Sequence, residues 1–168
     1  MPAQKRQVFR EEFRFEKSEA PRARSWAAET LAKAGLSERT IPSATAAVAE
    51  AFYNAVRHGA KGPINIAVRH FPERFEVSVY NTAKKGQAAD TESCERRAKA
   101  ERNLQNLALD AKESVAKKAE EALQRQFPSE AGGGGFGTMM LKKLAHCYDL
   151  KTAAGKTRAR MIWYKKQL

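Results

Sequence analysis

The sequence lacks several features that would assign it to a class of protein at once. It has only two cysteines among 168 residues, and Cys94 and Cys147 are too far apart to suggest a disulfide framework or a zinc site. No apolar run approaches the roughly 18 residues that a membrane-spanning helix needs. The first ten residues are polar and basic, unlike the apolar centre of a secretory signal. We therefore expect a cytoplasmic protein with two inert thiols and no membrane segment.

Acidic residues are also few. The chain has 19 Asp and Glu against 31 Lys and Arg, a net charge of +12. Residues 87–131 are close to neutral, whereas residues 132–168 carry eight basic side chains and one acidic one. Such an excess suggests an acidic partner, a nucleic acid or a phosphate-bearing ligand. No aromatic–basic interleaving, helix-turn-helix glycine or zinc spacing supports a nucleic-acid binder, so we expect no direct nucleic-acid partner.

The periodicity of apolar residues predicts an α+β fold. Alternation predicts strands over residues 8–15, 64–69, 75–80, 148–152 and 159–164. Helical spacing predicts helices over residues 24–34, 43–57 and 138–147, and a long helical insertion within residues 87–131. Ala20-Pro21 is expected to end the first strand, and Gly35 and Gly59 are expected to cap helix ends. This order predicts a two-layer sandwich, with helices on one face of a mostly antiparallel sheet.

A run of glycines precedes the last predicted helix. Gly133, Gly135 and Gly137 alternate there. Glycines allow close approach of the backbone, and a helix N-terminus presents free N–H groups to a phosphate. The run is not a P-loop, because no Gly-Lys-Ser/Thr follows it. Two interpretations stay open, a phosphate cradle and a flexible linker after the insertion.

The helix predicted over residues 43–57 carries a polar stripe. Glu50, Asn54 and His58 are spaced by four and share one face of an alanine-rich helix. Asn54 can give one oxygen to Mg²⁺, and Glu50 can act as a general base. The alternative is a solvated face with hydrogen bonds between residues four apart.

Together these segments resemble the motifs of the GHKL ATPases, the Bergerat-fold superfamily of histidine kinases, type II topoisomerases and anti-sigma factor kinases. Glu50-Ala-Phe-Tyr-Asn54-Ala-Val-Arg-His58-Gly59 resembles their N-box, and Gly133-Gly-Gly135-Phe136-Gly137-Thr138 resembles their glycine box. The strand that ends at Asn81 lies where their adenine-recognition box belongs. The resemblance covers about residues 5–166, in the family's order.

The resemblance implies a single histidine kinase-like ATPase domain over residues 1–168, with residues 87–131 as a helical ATP lid. It implies ATP and Mg²⁺ as cofactors, Glu50 as the catalytic residue and Asn54 as the metal ligand. The residues that it implies in cofactor binding are Asn54, His58, Asn81, Ala83, Gly133, Gly135, Phe136, Gly137 and Thr138.

The adenine box departs from the family pattern. Asn81 and Ala83 stand where the family usually has Asp and, two residues later, Gly. An aspartate only accepts hydrogen bonds, from the adenine amino group, whereas Asn can also donate one to a ring nitrogen. Some histidine kinases are similar, with Asn-Thr-Gly at this place. Adenine recognition is therefore expected to survive the change.

Within the superfamily, the chain most resembles the bacterial anti-sigma factor serine kinases. This implies a STAS-type anti-anti-sigma protein as substrate, a sigma factor or similar regulator as a second partner, and pairing into homodimers through the sheet edge near the N-terminus. A complete histidine kinase would need a phosphoacceptor histidine upstream, and the first histidine here is His58, inside the box. The alternative function is a non-catalytic module that binds nucleotide or sequesters a sigma factor.

Overall fold

The computed structural model describes residues 6–86, 141 and 143–168 of the chain. These residues belong to one compact unit, made of residues 1–91 and 136–168. The predicted insertion and the glycine run lie outside the described residues. The elements of the described part are β1 (Gln7–Phe13), α1 (Ala20–Lys33), α2 (Ile41–His58), β2 (Ile64–His70), β3 (Arg74–Thr82), β4 (Cys147–Ala153) and β5 (Lys156–Tyr164), with short 3-10 turns at Lys17–Glu19 and Lys165–Gln167.

The five strands form one sheet in the order β1-β2-β3-β5-β4, and its four pairings are all antiparallel. Alternate strand residues pack with the apolar sides of α1 and α2 into a single core. Its largest fully buried side chains include Trp163, Phe13, Phe52, Leu31 and Ile66. The predicted α+β class, with helices covering one face of an antiparallel sheet, is thereby confirmed. None of the helices in the described ranges is long and apolar enough to cross a membrane.

The first helix begins earlier than its sequence suggests. Pro21 lies within its first turn, at a position where the missing N–H would have no partner anyway. The predicted start of this helix at residue 24 is therefore four residues too late, and β1 already ends at Phe13, before Ala20-Pro21. Pro42 occupies the equivalent place in α2, which begins at Ile41.

The end of α1 confirms the predicted glycine cap. Gly35 has φ +88°, a conformation that side chains with a Cβ disfavour. The Gly35 N–H donates to the Ala32 carbonyl at 3.0 Å, and the Leu36 N–H donates to the Leu31 carbonyl at 2.9 Å. These two bonds satisfy carbonyls that would otherwise lack partners at the helix end.

The helix predicted over residues 138–147 ends sooner. Leu141, Lys143 and Leu144 are helical, but Cys147 already begins β4. Cys147 is disulfide-bonded, so the expectation of an inert thiol at this position is wrong. Cys94 lies outside the described residues.

A network centred on Glu19 fixes the connection from β1 to α1. Arg22 donates to the Glu19 carboxylate from Nε at 3.1 Å and from Nη2 at 2.9 Å, and to the Glu12 carbonyl at 2.9 Å. The hydrogen bond from Arg22 lowers the pKa of Glu19, although burial of this carboxylate acts in the opposite direction. The Arg22 guanidinium also lies 4.2 Å from the centre of the Phe13 ring. The turn is thus attached to both the strand and the helix.

The sheet face opposite the helices carries paired polar side chains. Arg69 donates to the Ser78 hydroxyl at 3.1 Å and to the Tyr80 hydroxyl at 2.8 Å. Arg160 donates to the Asp149 carboxylate from Nε at 3.0 Å. Since Ser78 and Asp149 are buried, these bonds compensate part of the loss of hydration that burial imposes. The other carboxylate oxygen, Asp149 Oδ1, has no hydrogen-bond partner in the described part of the chain.

The C-terminal turn is attached to the β2–β3 hairpin. The Lys165 ammonium donates to His70 Nε2 at 2.8 Å, and the His70 ring stacks on Phe75 with centroids 4.7 Å apart. The Lys165 N–H donates to the Glu73 carbonyl at 3.0 Å. Burial of the imidazole, and secondarily the charge of Lys165, lower the pKa of His70.

This arrangement predicts a loss of stability on acidification. Because the folded chain holds the pKa of His70 below its ordinary value of 6.5, the unfolded chain takes up the proton first as the pH falls. The stabilisation by neutral His70 is complete above pH 6.5 and is lost as the pH drops through the lower, folded value. Urea denaturation across this range should show a falling free energy of unfolding.

The variant His70→Gln should make that fall shallower. His146, whose pKa burial also lowers, keeps its own contribution in this variant. An unchanged pH dependence in His70→Gln would show that the contact with Lys165 does not require a neutral imidazole.

Candidate functional site

The polar stripe predicted on the second helix lies on α2. The helix buries a continuous apolar side, which consists of Ala44, Ala47, Val48, Ala51, Phe52 and Ala55. Glu50 and Asn54 border that side and are half-buried, whereas His58, in the last turn, is exposed. The three side chains therefore follow one edge of the helix from the core outwards.

These three side chains are not engaged with one another. Within the described ranges, the side chains of Glu50, Asn54 and His58 make no hydrogen bond or ion pair. The bonds between residues four apart, which an ordinary solvated face would offer, are not formed. Two half-buried polar groups thus keep their full capacity to accept or donate.

The C-terminal end of α2 meets the C-terminal end of β3. Gly59, the residue after the helix, packs against the Asn81 side chain so closely that a Cβ at position 59 would lie 2.3 Å from Asn81 Nδ2. The Ala60 N–H donates to the Thr82 carbonyl at 2.8 Å. The structure therefore brings the predicted adenine-box residue Asn81 next to the end of the helix that carries the predicted N-box.

Gly59 is the C-cap residue of α2, as predicted, and its N–H donates to the Ala55 carbonyl at 2.9 Å. Its φ and ψ are −77° and 174°, an extended conformation that any residue adopts. The glycine is required for space, because the Asn81 side chain and the Ala55 carbonyl occupy the volume of a side chain. In the sequence, the only sign of this close packing is a glycine directly after the N-box. The sequence does not show that Asn81 is the residue that packs against it.

The backbone of Ala83 is hydrogen-bonded to the turn between β4 and β5. Its N–H donates to the Gly155 carbonyl at 2.9 Å, in the turn between β4 and β5. That turn contains Ala154 at φ 51° and Gly155 at φ 71°. Among the described non-glycine residues only Ala154 has a positive φ, so the backbone at position 83 does not need the conformational freedom of the glycine that the family usually has there.

The surroundings of this end of the sheet are basic. The sequence has no Asp or Glu between Glu50 and Glu73. The exposed cations close to Gly59 and Asn81 in the chain are Arg57, Lys61, Lys84 and Lys85. Such a one-signed cluster raises the local concentration of anionic ligands.

The remaining predicted site residues are not described. Gly133, Gly135, Phe136, Gly137 and Thr138 lie outside the described residues. In residues 6–86, 141 and 143–168, no group of three or more His, Cys, Asp and Glu side chains is arranged to hold a metal ion. Asn54 is the predicted metal ligand, and its side-chain oxygen is of the type that Mg²⁺ prefers.

A cleft of about 650 Å³ lies between the end of β1 and the loop after α2. Several of its charged lining residues, including Glu19 and Arg22, are already paired with each other. The cleft includes none of the predicted site residues. We therefore place the candidate site at the ends of α2 and β3.

The described residues form an antiparallel five-stranded sheet under two helices, and the end of the helix with the polar edge lies beside Asn81 at the end of β3. This arrangement is consistent with a GHKL-type ATPase fold. The comparison with protein families agrees. The model of the histidine kinase-like ATPase domain matches residues 13–163, nearly the whole chain, and the chain belongs to this family. No curated protein matches the sequence.

Proposed function

We propose that this chain is an ATP-binding anti-sigma regulatory factor with protein serine/threonine kinase activity towards a STAS-type anti-anti-sigma protein. The observation that carries the proposal is the placement of unengaged Glu50 and Asn54 on the helix whose end packs against Asn81, in a chain of the ATPase family. The resemblance to the anti-sigma factor serine kinases supplies the partner.

The described residues fit a bound nucleotide with Mg²⁺. Asn81 is only 7% exposed as a residue, and its Oδ1 atom accepts no hydrogen bond from the described part of the chain. Oδ1 is not one of the fully buried side-chain atoms that lack a partner, so a ligand can reach it, and the adenine amino group is a donor of the kind that it accepts. Asn54 would hold Mg²⁺ together with phosphate oxygens and water. The basic surroundings suit a polyphosphate.

When bound, Mg²⁺-ATP supplies an activated γ-phosphoryl group whose charge the metal ion partly neutralises. The contribution of the chain is positioning and acid–base chemistry. Asn81 would hold the base, and Asn54 would hold the metal ion. The glycine run at residues 133–137 and the helix N-terminus after it would cradle the phosphates.

Glu50 is the proposed general base. Its carboxylate accepts the proton of the attacking serine hydroxyl while a new bond forms between the serine oxygen and the γ-phosphorus. The bond between the γ-phosphorus and the bridging oxygen breaks, and ADP leaves with the electron pair. The half-buried position of Glu50 keeps its carboxylate available to a substrate that approaches along the helix edge.

The proposal is tested by transfer of radiolabelled γ-phosphate to a purified STAS-type anti-anti-sigma protein. We expect label on the STAS protein, dependent on Mg²⁺, and none on a variant whose acceptor serine is Ala. If this chain binds nucleotide but neither the STAS protein nor its Ala variant becomes labelled, the kinase assignment is contradicted.

A second candidate function is a non-catalytic binding module. Asn81 and Ala83, which replace the usual Asp and Gly of the adenine box, favour it. In this case calorimetry would detect binding of nucleotide or of a sigma factor, while ATP would remain intact over hours of incubation.

A further inference from the structure

The contact between Gly59 and Asn81 is closer than any side chain at position 59 would allow. A Cβ there would lie 2.3 Å from Asn81 Nδ2, 3.2 Å from Asn81 Cγ and 2.5 Å from the Ala55 carbonyl oxygen. The backbone conformation of Gly59 is ordinary, with φ −77°. The requirement for glycine is therefore steric, and the group that occupies the space is the Asn81 carboxamide.

A hydrogen bond fixes the orientation of that carboxamide. Asn81 Nδ2 donates to the Thr82 carbonyl at 2.9 Å, and the same carbonyl accepts the Ala60 N–H at 2.8 Å. Since a carbonyl oxygen can only accept, the nitrogen and not the oxygen of the amide must face Thr82. Oδ1 then points away from Thr82 and accepts no hydrogen bond within the described ranges. It is not one of the fully buried side-chain atoms that lack a partner, so a ligand can reach it although the residue is only 7% exposed.

We propose that Gly59 is a positioning residue for base recognition, and that Gly59 and Thr82 together turn Asn81 Oδ1 outwards as a hydrogen-bond acceptor. An acceptor at this place pairs with the amino group at C6 of adenine. It repels the C6 oxygen of a 6-oxopurine such as hypoxanthine or guanine, because two acceptors then face each other. This inference rests on the proposed nucleotide site. It adds that Asn81 Oδ1 is the atom that selects the base and that Gly59 is the residue that positions it.

The same geometry suits an asparagine at position 81 better than the aspartate that the family usually has there. An aspartate at position 81 would set a carboxylate oxygen about 3 Å from the Thr82 carbonyl oxygen, at the place where Nδ2 now donates. The carboxylate would have to turn, which would carry its other oxygen away from the position of Oδ1. Restoring the family residue should therefore weaken binding.

The experiment measures dissociation constants for ATP and for ITP, which differ in the C6 substituent, by titration calorimetry. The wild-type chain should bind ATP at least about tenfold more tightly than ITP. Gly59→Ala should lower ATP affinity at least about tenfold and bring the ATP-to-ITP ratio towards one, since the Asn81 amide must move. Asn81→Asp should bind ATP about fivefold more weakly than the wild type.

Gly35→Ala is the matched control. It also adds one methyl group after a helix, at φ +88°, where no atom lies within 4 Å. It should lower the melting temperature through backbone strain, by a few degrees. Its ATP affinity and its ATP-to-ITP ratio should stay within twofold of the wild type, which separates general destabilisation from the effect at Asn81.

The outcomes are distinguishable. If the wild-type chain binds neither nucleotide, the proposed function fails and this inference with it. If the wild type binds ATP and Gly59→Ala keeps the same affinity and selectivity, only the positioning role is overturned. If circular dichroism shows that Gly59→Ala does not fold, two other measurements decide. A ratio of ATP affinity to ITP affinity near one in the wild type would overturn the inference, and so would tighter ATP binding by Asn81→Asp than by the wild type.

Discussion

Replacing Glu50 with Gln should lower the rate of γ-phosphate transfer by about a hundredfold or more and leave ATP affinity within about twofold. Glutamine keeps the volume and the hydrogen-bonding reach of the side chain but has no carboxylate to accept the serine proton. In the described part of the chain, Glu50 makes no hydrogen bond or ion pair with Asn81, the residue proposed to bind the base. Single-turnover transfer to the STAS protein, with nucleotide binding measured in parallel, would separate the two effects.

The matched control for this variant is Glu29→Gln. Glu29 is an exposed carboxylate on α1, so its removal changes the net charge by the same amount without touching the polar edge of α2. We expect unchanged transfer in the control. A transfer rate in Glu50→Gln close to that of the control would assign proton removal to another group or to the substrate itself.

Phe13→Ala should lower the free energy of unfolding by about 3–5 kcal/mol, a large part of the roughly 5–15 kcal/mol that holds a typical domain together. The Phe13 ring is 1% exposed and makes edge-to-face contacts with Phe52 at 5.9 Å and Trp26 at 6.1 Å between centroids. Its removal leaves a cavity between β1, α1 and α2 and deprives Arg22 of the ring on which it lies. Urea denaturation followed by Trp fluorescence would measure the loss.

Val8→Ala tests the same strand on its solvated side. Val8 is 42% exposed, so the loss should stay below about 1 kcal/mol. Similar losses in the two variants would mean that the core at Phe13 is not packed as tightly as its burial indicates.

The sheet was largely predictable, because one buried and one polar face impose alternation on each strand. Phe75, Val77 and Val79 gave β3 in this way, and all three are buried. The predicted bounds missed polar strand ends. Lys156 and Arg158 belong to β5 since they pair with Thr82 and Tyr80, and such pairing across 70 or more positions of the sequence leaves no local signal.

The helix edge of the candidate site was predictable for a similar reason, since residues four apart share a face wherever a helix forms. The spacing of Glu50, Asn54 and His58 carries that information by itself. The contacts of Asn81 do not follow from spacing. That Gly59 makes room for its carboxamide, and that the Thr82 carbonyl orients it, depends on how a loop and a strand end meet in space.

The position of β5 between β3 and β4 has a consequence for the order in which the chain can fold. β1, α1, α2, β2 and β3 follow one another directly along the chain, but residues 83–155 separate β3 from its neighbour β5. Each doubling of such a connection adds only about 0.6 kcal/mol to the entropy cost of closing it. Its length can therefore change greatly during evolution at little cost in stability. During synthesis, β3 keeps an unpaired edge until β5 has left the ribosome, and the centre of the sheet is the last part to close.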